Sequence, residues 1–262
     1  MSGPGAMAER FLRDGYLSVD NLDGLSAWLD SVSPAALEAE QSEDLAQWYR
    51  LNDTWFAGVN ALPNDARGRV GDGLALPDTV FALSERWYGR LPLDRAQISV
   101  TYPGYPGRGD APEAAHRYRL HRFSAHVDGL HAVGPARARM LREPHAFVLG
   151  IPLSDTDVQA SPMVVWRGSH QVMRAALEPA LSDVPEARWA DVDLSHPYQA
   201  ARRRVFETCV AEVVHVPRGG AYLVHRHALH GVKPWASAQT MPRRILYFRP
   251  EVRQWSDWLS AP

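Results

Sequence analysis

The chain has 262 residues, a formal net charge of −2 and a hydrophobic fraction of 45%. That is enough apolar material for one large domain or two small ones, and so small a charge gives no electrostatic basis for general nucleic-acid or membrane binding, so the expected partner is a small molecule. Cys209 is the only cysteine, which excludes an intramolecular disulfide and a cysteine-based zinc or iron–sulfur site, so a metal here must be held by histidine and carboxylate. No apolar stretch approaches the length of a membrane span, and the N-terminus lacks a basic segment followed by a hydrophobic one; the expectation is a cytoplasmic protein.

Residues 1–7, with their Gly-Pro-Gly-Ala, read as a disordered extension or a remnant of cloning. The rest reads as a single domain over 8–262, with a helical N-terminal part over 8–95 and a core of strands over 96–250. Ala8 to Asp14 reads as a helix stopped by Gly15. Ser33-Pro34 and Ser42-Glu43-Asp44 look like helix starts, pairing a capping hydroxyl with a first-turn proline or first-turn acids. Val80, Leu83, Trp87 and Tyr88 recur at helical spacing from Asp78 to Tyr88, with Gly89 closing the segment. From Gln97 onward, short β-branched and aromatic runs are separated by Pro, Gly and Asp. Gln97 to Tyr102 alternates, and Ala146 to Leu153 is a nearly continuous apolar run suited to a strand buried on both sides. Met163 to Trp166, Glu212 to Val216, Ala221 to His225 and Arg244 to Arg249 are further strand candidates, and Pro197 to Thr208 reads as an inserted helix. Many short strands without regular helical crossovers favour a mainly β, jelly-roll core with flanking helices over a parallel α/β sheet.

His126-Val127-Asp128 is the most informative tripeptide. A His and an Asp two apart on extended backbone point to the same face, and a third ligand from a distant strand would complete the two-histidine, one-carboxylate set that holds ferrous iron and leaves positions open for substrate and oxygen. With eleven histidines in the chain, the tripeptide alone is weak evidence, and its plain reading is a surface pair. His230-Gly231 follows the strand candidate Ala221 to His225 and supplies a third ligand, although His225 and His227 lie close enough in sequence to compete for that role. Downstream, Arg243 or Arg244 could grip a carboxylate with two parallel hydrogen bonds. Alternation sends the two arginines to opposite faces. Arg243 shares its parity with Ile245 and Tyr247, Arg244 with Leu246 and Phe248, so periodicity does not choose between them.

These residues resemble the phytanoyl-CoA dioxygenase-like family of Fe(II)- and 2-oxoglutarate-dependent oxygenases. Phe11 to Tyr16 looks like that family's opening helix and turn, His126-Val127-Asp128-Gly129 like its first metal motif, and Arg167-Gly168-Ser169-His170 like its Pro-Gly-Ser-His segment. His230-Gly231 looks like its distal histidine, and Arg243-Arg244-Ile245 like the strand whose first arginine binds 2-oxoglutarate. The order is right over nearly the whole chain. The resemblance implies a double-stranded β-helix (cupin-like) core, an iron centre held by His126, Asp128 and His230, and 2-oxoglutarate anchored by Arg243, with O2 as the oxidant. His170 reads as a structural hydrogen-bonding residue rather than a fourth ligand. The chain departs from the family pattern at Arg167, at Val232 and at Gly150, the last near a position often held by Trp. Those departures leave the other cosubstrate contacts to weaker candidates, Phe123, Tyr102 and Trp166. Because related halogenases have Gly or Ala in place of the carboxylate, Asp128 favours oxygen transfer over chlorination.

The reaction implied is hydroxylation of a small organic metabolite with release of succinate and CO2. Desaturation or epoxidation are variants of the same chemistry, and a metal-binding jelly-roll protein without turnover, a ligand sensor or scaffold, is the alternative of a different class. Arg117, Arg119, Arg122, Arg137, Arg139 and Arg142 crowd between His116 and His145 against only Asp128 and Glu143. Within that run, Arg137, Arg139 and Arg142 are candidates for binding an anionic substrate; a solvated basic loop is the plain reading of the same run.

Overall fold

The computed structural model describes residues 4–260. Helix α1 (Pro4–Asp14) leads into strand β1 (Tyr16–Val19) through Gly15, which takes φ +81 and donates its N–H to the Phe11 carbonyl at 2.9 Å. This is the left-handed helix end that glycine permits. Residues 4–7 of the stretch read as an extension belong to α1, and residues 1–3 lie outside the described residues. Next come α2 (Leu25–Gln41), a 3-10 turn (Glu43–Trp48), β2 (Tyr49–Arg50) and β3 (Trp55–Phe56). Then follow α3 (Asp78–Phe81), α4 (Glu85–Tyr88), β4 (Gln97–Thr101) and α5 (Glu113–Arg122). A hairpin of β5 (Leu130–Val133) and β6 (Ala138–Leu141) precedes β7 (Phe147–Pro152) and β8 (Met163–Trp166). Helices α6 (Ser169–Leu181) and α7 (Ser195–Thr208) come before β9 (Ala211–Val214), β10 (Ala221–His225), β11 (His230–Val232), β12 (Arg243–Phe248) and α8 (Asp257–Ser260).

Three local expectations differ from this. Ser33-Pro34 lies inside α2 and does not start a helix. An interior proline costs about 3 kcal/mol, but Leu25, Trp28, Leu29 and Val32 are fully buried on one stripe, and each such side chain contributes about 1.5–3 kcal/mol, so packing carries the helix through. Residues 78–88 form two short helices with a turn between them. The N-terminal part also supplies β1, β2 and β3 to the main sheet, so it is not a purely helical layer.

The main sheet has seven strands in the order β1-β10-β7-β12-β4-β3-β2, every neighbouring pair antiparallel. A second sheet, β11-β8-β9, is also antiparallel. One face of the main sheet, with Leu17, Leu149, Ile151, Leu223, Leu246 and Phe248, packs on α2 through Trp28, Leu29 and Val32. The other face meets the small sheet in a cluster of Val148, Met163, Val165, Val214, Tyr222, Val224, Ile245 and Tyr247. Behind the small sheet, Val164 and Trp166 pack against Met173 and Leu177 of α6 and Tyr198 and Val205 of α7. The result is mainly antiparallel sheet flanked by helices, and the space between the sheets is where the chemistry-bearing side chains gather.

Candidate metal centre

His126 and His230 are brought face to face although 104 positions apart in sequence. Each donates its backbone N–H to the other's carbonyl, at 2.9 and 3.0 Å, in an isolated antiparallel bridge. Directly opposed residues of such a pair put their side chains on one face, and the rings lie 4.6 Å apart. The His-x-Asp tripeptide therefore sits on one bridge, not within a strand, yet the alternation holds locally: Val127 is buried in the helical cluster behind, and its neighbours face the other way. His126 Nδ1 lies 2.9 Å from the Ser124 carbonyl and His230 Nδ1 3.0 Å from the Ala228 carbonyl. A carbonyl only accepts, so both Nδ1 atoms carry the proton and both Nε2 atoms are left able to ligate a metal.

Both Nε2 atoms face Asp128, at 3.1 Å from Oδ1 for His126 and 3.8 Å from Oδ2 for His230. One ligand atom from each residue lies within 4.8 Å of the others. Two imidazoles and a carboxylate at such spacing suit a divalent transition metal. Arg249 completes the group, its Nε donating to Asp128 Oδ2 at 2.6 Å while its backbone N–H is held by Asp94 Oδ1 at 2.7 Å. Burial would raise the Asp128 pKa, but the charge of Arg249 together with the two histidines holds the carboxyl well below its usual range. Burial disfavours the protonated form of both histidines: it brings His230 down to about 4, whereas the hydrogen bond to Asp128 leaves His126 above its ordinary value.

Two glycines let the chain close around these three side chains. A Cβ at Gly231 would stand 2.2 Å from the Phe123 carbonyl oxygen, and one at Gly129 2.1 Å from that of Glu143. Both obstacles are backbone, so neither position has room for a side chain.

Arg243 is buried at 4% exposure on the inner face of β12, in register with Thr101 of β4. Its guanidinium neighbours the phenols of Tyr222 and Tyr247, which are themselves linked at 2.9 Å, and among the described residues no carboxylate lies within 4 Å of it. Arg244 points to the helical side, where Glu40 of α2 takes its Nε and Nη2 at 2.6 and 2.9 Å. Packing thus settles what periodicity left open: Arg244 already has its counter-ion, and Arg243 faces the inter-sheet space. Thr101 Oγ1, on the same face as Arg243, is buried without a partner. A buried guanidinium without an anion and an orphaned hydroxyl fit the far carboxylate of a bound diacid. The departure at Gly150 has a local reason. Its added Cβ would lie 2.2 Å from the Tyr222 ring, so the missing side chain makes room for the tyrosine that reaches Tyr247.

The weaker candidates fall elsewhere. Tyr102 donates to Glu40 at 2.7 Å on the helical side of the main sheet. Phe123 and Trp166 pack on each other, ring centres 6.1 Å apart, in the cluster behind the small sheet. Arg139 lies over the Tyr198 ring and donates to the Leu130 carbonyl, while Arg137 and Arg142 are exposed on the β5–β6 hairpin. His225 and His227 are buried away from the triad, against His170 and Trp258, and His170 Nε2 lies 3.0 Å from the Leu12 carbonyl. The residues that sequence reading missed are Arg249, Tyr222 and Tyr247. The parity of β12, which sets 243, 245, 247 and 249 on one face, could have found two of them.

No family model and no curated protein matches the chain. Among solved structures it is similar to the non-heme alpha-ketoglutarate-dependent epimerase SnoN from nogalamycin biosynthesis, with a TM-score of 0.52 and 15% identity over 94% of this chain and 81% of that one. The carbocyclase SnoK from the same biosynthesis, likewise non-heme and alpha-ketoglutarate-dependent, gives 0.52 and 15% over 97% and 88%. HygX from Streptomyces hygroscopicus, solved with nickel and 2-oxoglutarate bound, gives 0.51 and 13% over 97% and 88%. At such identities the likeness is one of fold, and it extends over nearly the whole chain.

Proposed function

We propose that the protein is an Fe(II)- and 2-oxoglutarate-dependent oxygenase of the phytanoyl-CoA dioxygenase-like kind, a single double-stranded β-helix domain that works in the cytoplasm and hydroxylates a small molecule. The observation that carries this reading is the convergence of His126, Asp128 and His230 with a buried guanidinium, Arg243, that has no carboxylate partner among the described residues. Solved structures of the same fold that depend on or bind alpha-ketoglutarate support it.

His126 and His230 would offer their Nε2 atoms to the iron, and Asp128 one oxygen, since Arg249 engages the other. Such an outer partner fixes the orientation and charge of a ligating carboxylate. Arg243 would hold the far carboxylate of 2-oxoglutarate, with Thr101 and the Tyr222–Tyr247 pair beside it. Val148, Val165 and Ile245, all nearly inaccessible, form an apolar floor that excludes water and strengthens each of these charge contacts. When bound, iron with 2-oxoglutarate supplies the activation of O2 and the coupled formation of succinate and CO2, chemistry that no side chain provides.

The test is spectroscopic. Anaerobic addition of Fe(II) and 2-oxoglutarate should give a weak visible charge-transfer band that Asp128→Ala and His230→Ala abolish. Wild-type protein that binds iron yet shows no band would sink the cosubstrate assignment. Succinate release stimulated by a substrate then separates an enzyme from a metal-binding protein without turnover.

A further inference from the structure

A second cation, Arg119, stands on α5, the helix whose end adjoins the metal centre. Arg119 has its Nη1 buried without a hydrogen-bond partner, and His116, three residues earlier on the same helix face, has its Nδ1 buried without one. Tyr118 and Arg122 mark the face that packs on α7. Tyr118 donates to the Ala125 carbonyl at 2.7 Å and lies beneath Arg202, and Arg122 sits over Phe206 at 4.5 Å. The charge of Arg119 acts on Tyr105, a buried phenol that also feels Arg243 and Tyr247 and hydrogen-bonds Ser124. The end of α5 is tied to the metal centre, because the Phe123 carbonyl accepts the Val232 N–H at 2.9 Å and the Ser124 carbonyl faces His126 Nδ1.

Two guanidiniums, Arg119 from α5 and Arg243 from β12, thus both act on the Tyr105 phenol. Among the described residues neither has a carboxylate within 4 Å, and Asp128 is already paired with Arg249. The Arg119 Nη1 is a buried donor without an acceptor, which is costly, and a bound anion would supply one. The far carboxylate of 2-oxoglutarate satisfies Arg243 and leaves Arg119 calling for a second anion. We propose that Arg119, with His116 beside it, anchors an anionic group of the substrate, a carboxylate, phosphate or sulfate. This rests on the function proposed above, and it moves the expected anion site from the exposed hairpin arginines to α5.

The test uses full-length protein loaded with Mn(II), which does not turn over, and 2-oxoglutarate. It is titrated at constant ionic strength with inorganic phosphate, sulfate or acetate, and binding is followed by calorimetry. Wild type should bind at least one of these saturably. Arg119→Gln should weaken that binding about ten- to hundredfold, as loss of a charged hydrogen bond does, Arg119→Lys should fall between, and the 2-oxoglutarate Kd should stay within about twofold of wild type in both. Arg137→Gln and Arg142→Gln should bind the anion like wild type. If the Gln variant does not fold, the Lys variant carries the same comparison. No saturable binding by wild type, unchanged binding in the Arg119 variants, or loss of binding in the hairpin variants overturns the proposal. So does a loss of 2-oxoglutarate affinity in Arg119→Gln as large as in Arg243→Gln. Should wild type bind neither Mn(II) nor 2-oxoglutarate, the function reading fails by itself, and the phosphate titration of metal-free protein still decides for or against Arg119.

Discussion

Replacing Arg249 by Met should weaken metal binding at the proposed centre without touching a candidate ligand. The Arg249 and Asp128 side chains are 21% and 12% exposed and meet at 2.6 Å, so solvent screens the pair only partly. Charges about 4 Å apart attract by about 4 kcal/mol at an effective dielectric of about 20. Desolvation takes back part of that, leaving about 1.5–3 kcal/mol for a charge-assisted hydrogen bond. If that orientation and charge balance act on the ligating carboxylate, metal affinity falls about 10- to 100-fold, the usual effect of losing an outer partner. The pH dependence gives the sign. Arg249 holds the Asp128 carboxyl well below its ordinary range, so its removal raises that pKa and lets protons compete with metal at higher pH. Co(II) binding followed by its visible absorption, across a pH series and against a competing chelator, reads both effects. Arg249→Met with wild-type affinity and an unshifted pH of half-loading would refute the reasoning.

The neighbouring arginines of β12 should behave oppositely. Arg244→Met breaks a bidentate pair with a buried Glu40 and should cost about 3–5 kcal/mol in urea denaturation. Arg243→Met should leave stability near wild type or raise it while abolishing measurable 2-oxoglutarate binding; equal stability losses in the two variants would count against the facing assigned to them. Gly150→Ala drives a Cβ to 2.2 Å from the Tyr222 ring and should lower stability by about 1–3 kcal/mol, visible as a lower Tm, and an unchanged Tm would show that the ring moves freely. Metal-free protein should lose stability as the pH falls below about 6.5. Burial holds His170, His225 and His227 below their ordinary values, so the unfolded chain takes up protons that the folded chain refuses. His230, at about 4, adds to this, and His126, raised, opposes it. His225 Nδ1 accepts the His227 N–H at 3.0 Å, so His225→Gln should shrink the drop between pH 7 and pH 5.5; a drop of unchanged size would assign the acid sensitivity elsewhere.

Legibility in the sequence followed the range of the interaction. Met163–Trp166 and Ala221–His225 coincide with β8 and β10, because runs of β-branched and aromatic residues report a buried pleat directly. The sequence of α5, Glu-Ala-Ala-His-Arg-Tyr-Arg-Leu-His-Arg, has too few apolar residues to show a stripe, and its helix is held by aromatic and cationic contacts with α7 instead. That His126 and Asp128 come together was readable, since they are two apart. Their support was not: Arg249 lies 121 positions from Asp128, and nothing local to either residue announces the pair. The choice between Arg243 and Arg244 needed Glu40, which only the packing of α2 brings near. Gly150 read as a departure for the same reason, since the ring that crosses it comes from Tyr222 on the neighbouring strand.

The resting of the Phe123 carbonyl on Gly231 has an evolutionary and practical corollary. The helix that carries Arg119 and the strand that carries His230 meet at that one point, so the proposed specificity and metal-binding roles would be mechanically joined there and separable one turn away. On the proposed role of Arg119, variation at positions 116 and 119 would retune what is bound while that contact stays intact. A wholesale exchange of α5 succeeds only if residues 123–126 travel unchanged with the site they support.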